Sequence, residues 1–162
     1  MSAHQGAEQE TTMTTLIDLD RRVDETEIDR EIDEAEIGWL LTKRGAAVKA
    51  MDADYLVSRH APGSTGFDIT PARHGRDHAV TDAAALRDWF RTFEDSLDYS
   101  ILDLSIVVGD DVAFAHSLDH FTATPFGARR AQVWLHVTTG LRRIGGCWLI
   151  THEHRSIASP PQ

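Results

Sequence analysis

The chain has 162 residues, a net charge of −10 and one cysteine, Cys147. That length suits one domain with its own apolar core plus an extension, and a lone cysteine excludes an intrachain disulfide. Residues 1–36 hold 12 Asp and Glu against 3 Arg, a net −9, which leaves −1 for residues 37–162. No basic face exists to neutralise phosphates, so nucleic-acid binding is not expected. The first residues lack an apolar signal-type core, and no run approaches the ~18 apolar residues of a spanning helix. The expectation is a soluble, cytoplasmic protein with no membrane partner.

Residues 1–22 are polar and acidic apart from Leu16, Ile17 and Leu19, and read as a flexible leader. A domain is expected over 23–158 and a short tail over 159–162. Asp24 and Glu27 have capping-box spacing, Val23 and Ile28 staple spacing, and Ile28, Ile32, Ala35 and Trp39 begin a helical stripe that runs to about Lys49. Asp52 caps a short second helix that ends before Pro62-Gly63. Gly66 to Thr70 is a short strand candidate, followed by a loop with Pro71, His74 and His78. Thr81 caps a third helix in which Leu86, Trp89, Phe90, Phe93 and Leu97 share one face.

Four long strands follow: Ser100 to Val108, Val112 to Thr124, Arg130 to Ile144 and Cys147 to Ile157. Turn residues bound them, with Gly145-Gly146 at two-residue hairpin spacing. The expected fold is α+β: three N-terminal helices packed on a strongly bent, mixed or antiparallel sheet that forms a cone with an internal pocket.

Strand alternation groups the candidate site residues. His116 and His120 share a face with Phe114; His136 with Trp134 and Thr138; His152 and His154 with Trp148, Ile150 and Ser156. The other face carries Val133, Leu135, Val137 and Leu141, which would suit a dimer contact. The mixed Trp/His/Thr face is the expected pocket wall, because a ligand site needs a few polar groups among aromatics. The alternative is that these histidines make structural hydrogen bonds. Trp39, Trp89 and Phe93 are core residues that could also line the pocket. His152 and His154 lie about 7 Å apart along one strand, a usable chelate spacing. His120 or His136 could complete a three-ligand site, but His116 and His120 lie about 13 Å apart, too far to share one ion without other ligands, which weighs against a metal. Cys147 has no partner cysteine and reads as inert.

The element order, with Met51-Asp-Ala-Asp54, Gly66-Phe-Asp68, Pro71, Trp89-Phe90, Asp111-Val-Ala-Phe-Ala-His116, Trp134, Thr138 and the run from Leu141 through Trp148 and His152-Glu-His154 to Ser156, resembles the SnoaL-like members of the nuclear-transport-factor-two-like (NTF2-like) superfamily, relatives of ketosteroid isomerase. The resemblance covers roughly residues 35–160. It implies a cone with a deep apolar pocket for a small hydrophobic organic ligand, no cofactor, and a homodimer built on the outer sheet face. It also places Asp68 near the position of a proton-shuttling carboxylate, while a strand-end Asp that caps the next loop is the plainer reading. Arg44 and the Thr139-Gly140 region stand where the steroid isomerase has its oxyanion-hole tyrosine and neutral aspartic acid, which disfavours steroid isomerisation. The expected chemistry is metal-free proton transfer in an isomerase, cyclase or dehydratase, with Asp68 as base and His116, His120 or His152 as its acid. The alternative is a non-catalytic dimeric ligand-binding or interaction module, since fold alone does not settle function.

Overall fold

The computed structural model describes residues 4–67, 81–94 and 97–161, with side chains from residue 25 onward. Helix α1 spans His4–Lys49. It runs straight through the expected cap at Asp24, because no proline occurs before Pro62 and the acidic residues there are tolerated on a solvated helix surface. From Asp33 onward one stripe is buried: Asp33, Ile37, Leu40, Leu41, Arg44, Ala47 and Val48. The helix ends where Met51 turns left-handed at φ 55°. There the Asp52 N–H donates to the Ala47 carbonyl at 2.9 Å and the Met51 N–H to that of Val48 at 3.0 Å, closing the last turn.

Helix α2, Ala53–Ser58, starts at the expected cap, with the Asp52 carboxylate accepting from the Tyr55 N–H at 2.9 Å. Strand β1, His60–Phe67, begins six residues before the expected Gly66. It can include Pro62 because it lies on the sheet edge, where one row of N–H groups has no ladder partner. Helix α3, Ala83–Phe90, is capped by Asp82 rather than Thr81; one Asp82 oxygen accepts from the Ala84 and Ala85 N–H groups. It stops short of Leu97 because Phe93 turns out to pair with Pro125.

Strands β2, Asp98–Val108, β3, Val112–Ala123, β4, Ala131–Ile144, and β5, Cys147–Ala158, form an antiparallel meander. β1 adds in parallel to β5, giving the order β1-β5-β4-β3-β2. Gly145 and Gly146 both take positive φ, 59° and 82°, and close the β4–β5 hairpin. Two irregularities interrupt the antiparallel ladders. One lies in β2 between Leu102 and Ser105, with Asp103 at φ 49°. The other lies in β5: Gly140 pairs with His152 and Leu141 with Ile150, so Thr151 is an extra residue.

This second bulge decides which side chains face inward. Trp148 and Ile150 point under the helices, the bulge resets the alternation, and Glu153 and Arg155 follow them inward. Ile37, Leu40 and Leu41 pack with Ala113, Ala115, Leu141, Trp148 and Ile150. A second cluster joins Val48, Leu56, Phe90, Leu97 and Tyr99 to half-buried Phe93 and Phe121. The result is an α+β cone, with helices on the concave face of a five-stranded mixed sheet.

Leu141→Ala, at a fully buried position, should cost about 2–5 kcal/mol in a urea denaturation curve, while Ile144→Ala on the exposed turn of the hairpin should cost well under half of that.

Candidate functional site

The concave face is not purely apolar. Between the two core clusters lies the Glu153 carboxylate, 1% exposed. Arg44 reaches one of its oxygens at 2.7 Å, while the other receives Arg155 at 3.0 Å and His60 Nε2 at 3.2 Å. His60 Nδ1 lies 2.8 Å from the Leu56 carbonyl. Both ring nitrogens thus face oxygen acceptors, and both contacts are hydrogen bonds only in the doubly protonated ring. The Arg44–Glu153 contact is an ion pair without hydrogen-bond alignment, and Arg44 Nε is buried without a hydrogen-bond partner. Burial alone would push the Glu153 carboxyl up, but Arg155, Arg44 and His60 outweigh it and hold the group well below the usual carboxylate range.

A second constellation lies on the same face, where Asp119 is also 1% exposed. The Tyr99 hydroxyl donates to one of its oxygens, and the Ser117 hydroxyl donates to the other at 2.6 Å. Burial pushes the Tyr99 phenol up to about 12; Arg44 and Arg155 oppose the rise and Asp119 adds to it. The phenol therefore stays a donor at neutral pH. Two residues along β3 from Asp119, Phe121 opens an aromatic platform with Trp89 at 6.0 Å, Phe93 at 5.9 Å and Tyr99 at 6.3 Å. Trp89 is 43% exposed, so the platform reaches solvent. A third polar group ties the far end of the sheet: Asp33 pairs with Arg143 and accepts from Trp148 Nε1 at 3.2 Å.

The residues expected to line the site are distributed differently. Asp68 lies outside the described residues. His116, His136, His154 and Thr138 are exposed on the convex face. His120 stacks on Trp134 there at 4.3 Å and contacts Gln132 at 3.1 Å. His152 meets Thr65 at 3.2 Å and the Phe67 ring at 5.4 Å. Trp39 is 58% exposed beneath the Lys43 ammonium, and Trp148 is core. Of the expected lining set, Trp89 and Phe93 belong to the aromatic platform around Phe121 and Tyr99. The wall expected from Trp134, His136 and Thr138 is thus the outside, whereas Leu135, Val137 and Leu141, expected to carry a dimer contact, are buried under the helices. Small Ala113 and Ala115, which allow α1 to approach, were the available sign of this polarity. His60, Tyr99, Ser117, Asp119, Glu153 and Arg155 were not singled out from sequence. Among the described residues, no three His, Cys, Asp or Glu converge to hold a metal ion.

A helix-covered, bent mixed sheet with a polar constellation on its concave face is the cone of the NTF2-like superfamily. The SnoaL-like domain model matches residues 37–160, and the chain belongs to that family. Solved structures share the fold. An NTF2-like protein of unknown function from Pseudomonas putida KT2440 is 24% identical, with 78% of this chain and 87% of that one covered and a TM-score of 0.66. A candidate scytalone dehydratase from Novosphingobium aromaticivorans is 10% identical, with 82% and 89% covered and a TM-score of 0.69. The association domain of the kinase CaMKII from C. elegans is 14% identical, with 80% and 98% covered and a TM-score of 0.61. No curated protein matches this chain by sequence.

The Glu153 site has a pH signature. A carboxyl held below its unfolded value of about 4.5 contributes stability that is complete above that pH and is lost as pH falls toward the folded value. Glu153→Gln should therefore lower stability at pH 7, by about 3–5 kcal/mol because two arginines lose their counter-charge. Urea midpoints between about pH 7 and pH 3 should also fall less steeply with acid in this variant than in the parent.

Proposed function

We propose that this protein binds a small, largely hydrophobic organic molecule within the cone and acts on it by metal-free proton transfer of the isomerase or dehydratase type. One observation carries this reading: a partly exposed aromatic platform ends at a buried tyrosine–carboxylate pair. An apolar wall converging on a few fixed polar groups is what a small-molecule site requires. Apolar residues would fill those positions without the cost of burying charge. In this reading the ligand lies against Trp89, Phe93 and Phe121. The Tyr99 hydroxyl turns its one donor from Asp119 to the carbonyl oxygen; Asp119, so freed, takes a proton from the adjacent carbon as charge develops on that oxygen, and then returns the proton to another carbon of the ligand or to a departing hydroxyl. Arg44 and Arg155 supply positive potential from behind. Asp68, directly after Phe67 at the end of β1, is a second proposed base on the family precedent. The scheme needs no metal or cofactor. Assembly as a homodimer through the convex sheet face and a cytoplasmic location belong to the same proposal; among the described residues no helix is long and apolar enough to cross a membrane.

A second reading is favoured by a specific observation. Tyr99, Ser117 and Asp119 already satisfy one another, and Glu153 is neutralised by its own cations. A non-catalytic ligand-binding module would look the same.

Deuterium incorporation separates the two. In D2O, with a panel of small cyclic ketones and hydroxy-ketones followed by proton NMR, the parent should exchange the α-hydrogens of at least one compound. Asp119→Asn should slow that exchange by about 100-fold or more while Trp89→Ala mainly weakens binding. Ligand binding without exchange of any bound compound would establish the non-catalytic reading.

A further inference from the structure

Helix α1 carries a second apolar stripe, on the side away from the sheet. Ile28, Ile32, Ala35 and Trp39 follow one another at steps of 4, 3 and 4 residues, and Thr42 and Ala46 continue the alternation. At 3.6 residues per turn the first four fall within about 60° of one another, roughly opposite the buried Ile37, Leu41 and Arg44. Ile28, Ile32 and Trp39 are each more than half exposed. Steps that alternate between 3 and 4 make the seam of a two-helix coiled coil, here about 27 Å long from Ile28 to Ala46. Residues 25–32 are exposed on every side, so the sheet covers no side chain there. A helix in that position gains its stability by packing against another element.

The seam is rimmed with acid. From Glu25 to Glu36 six exposed carboxylates stand against the one cation of that segment, Arg30, while Asp33 turns inward to Arg143. Beside the seam an open hollow of about 330 Å³ lies between α1 and β2, lined by Glu31, Glu34, Ala35 and Ile106. Apolar side chains and two carboxylates in one hollow match a lysine or arginine. Its alkyl stem covers Ile106 and Ala35, and its charged head meets Glu31 and Glu34. A second copy of this chain answers little of that charge. In antiparallel register Lys43, which stands 5.5 Å over the Trp39 ring, can meet Asp29 of the other copy. Glu36 then faces its own counterpart at the two-fold axis, and most of the remaining acid faces acid. An apolar seam with acidic flanks is instead complementary to a helix with basic flanks.

We propose that the outward face of α1 docks a basic amphipathic helix of another protein. The partner's apolar residues fill the seam from Ile28 to Trp39, and one of its lysines or arginines enters the Glu31–Glu34 hollow. The inference is independent of the chemistry in the cone and of how the sheet assembles.

The probe is a fluorescently labelled peptide of about three heptads, with Ile and Leu at the seam positions and Lys at the positions flanking them. Its control is the same peptide with Glu in place of each Lys. Titrated with the full chain, the anisotropy of the lysine peptide should reach half-saturation at about 10 µM or below, and the glutamate peptide should not bind at about ten times that concentration. Raising the ionic strength from about 0.05 M to about 0.5 M should weaken the lysine peptide about 10-fold. Ile32→Ser/Trp39→Ser and Glu31→Lys/Glu34→Lys should each weaken it by about 10-fold or more, with the far-ultraviolet circular dichroism of the parent retained because all four side chains are exposed. Failure of the lysine peptide to bind, or equal binding of the glutamate peptide, overturns the proposal. So does lysine-peptide binding that both double variants leave unchanged, which places it on another surface. A parent at twice the 18.0 kDa of one chain by light scattering that becomes single-chain in Ile32→Ser/Trp39→Ser puts a second copy on the seam and overturns the proposal as well.

Discussion

The buried Glu153 carboxylate constrains more of this fold than any other single group. A charge removed from water costs several kcal/mol even after relaxation, and close cations must offset that cost. Here its partners come from three elements: the guanidinium groups of Arg44 from α1 and Arg155 from β5 itself, and the His60 ring from β1. The pairing fixes how α1 crosses the sheet, because Arg44 sits one turn from Leu41 and Leu40 in one core cluster and one turn from Ala47 and Val48 in the other. It also anchors β1, an edge strand that pairs with β5 alone and has a register irregularity between His60 and Thr65. His60 binds the C-terminal part of α2 through the Leu56 carbonyl and the sheet through Glu153, so the edge is held at its first residue.

None of this happens unless Glu153 points inward, and strict alternation from Trp148 and Ile150 would send it out. The extra residue at Thr151 corrects the parity. Gly140 faces the bulge, and a Cβ there would lie 3.4 Å from His152 Cβ. The small residue in β4 and the insertion in β5 are therefore two parts of one device that turns a carboxylate into the cone.

This explains what could be read from the sequence and what could not. Local chemistry was legible: the Gly145-Gly146 hairpin, the Asp52 cap, the aromatic stripe of α3 and the four long strands all act over a few residues. The resemblance of the Leu141–Ser156 run to SnoaL-like proteins carried the fold. Face assignment in the second half of β5 was not legible, because one inserted residue reverses it and a bulge has no strong local signature in Ile150-Thr-His-Glu153. Asp24 also looked like a helix start, since a capping-box pattern is equally an acidic stretch in mid-helix. Asp119 and Tyr99 carry no local signal because their partnership spans two strands. Only the register that sets Tyr99 opposite Phe121 brings the phenol to the carboxylate two residues away.

The sheet is one residue thick, so adjacent residues serve different surfaces. Asp119 accepts hydrogen bonds inside the cone, and its neighbour His120 stacks on Trp134 outside. At Asp119 and His120 β3 is laddered on both sides, so its backbone there is held in place, and a side-chain change on one face has little means of reaching the other. Changes on the two faces of β3 are in that sense physically separable. The exception is the β5 bulge, where the ladder is interrupted. There His152 packs against Gly140 and Phe67 on the convex side, while the next residue is the carboxylate that Arg44, Arg155 and His60 hold. His152 thus sits at the irregular backbone of β5, next to the carboxylate. A displacement of His136, in the regular middle of β4, is resisted by ladders on both sides. If the two faces of this sheet influence one another, a physical route runs through His152 and Glu153.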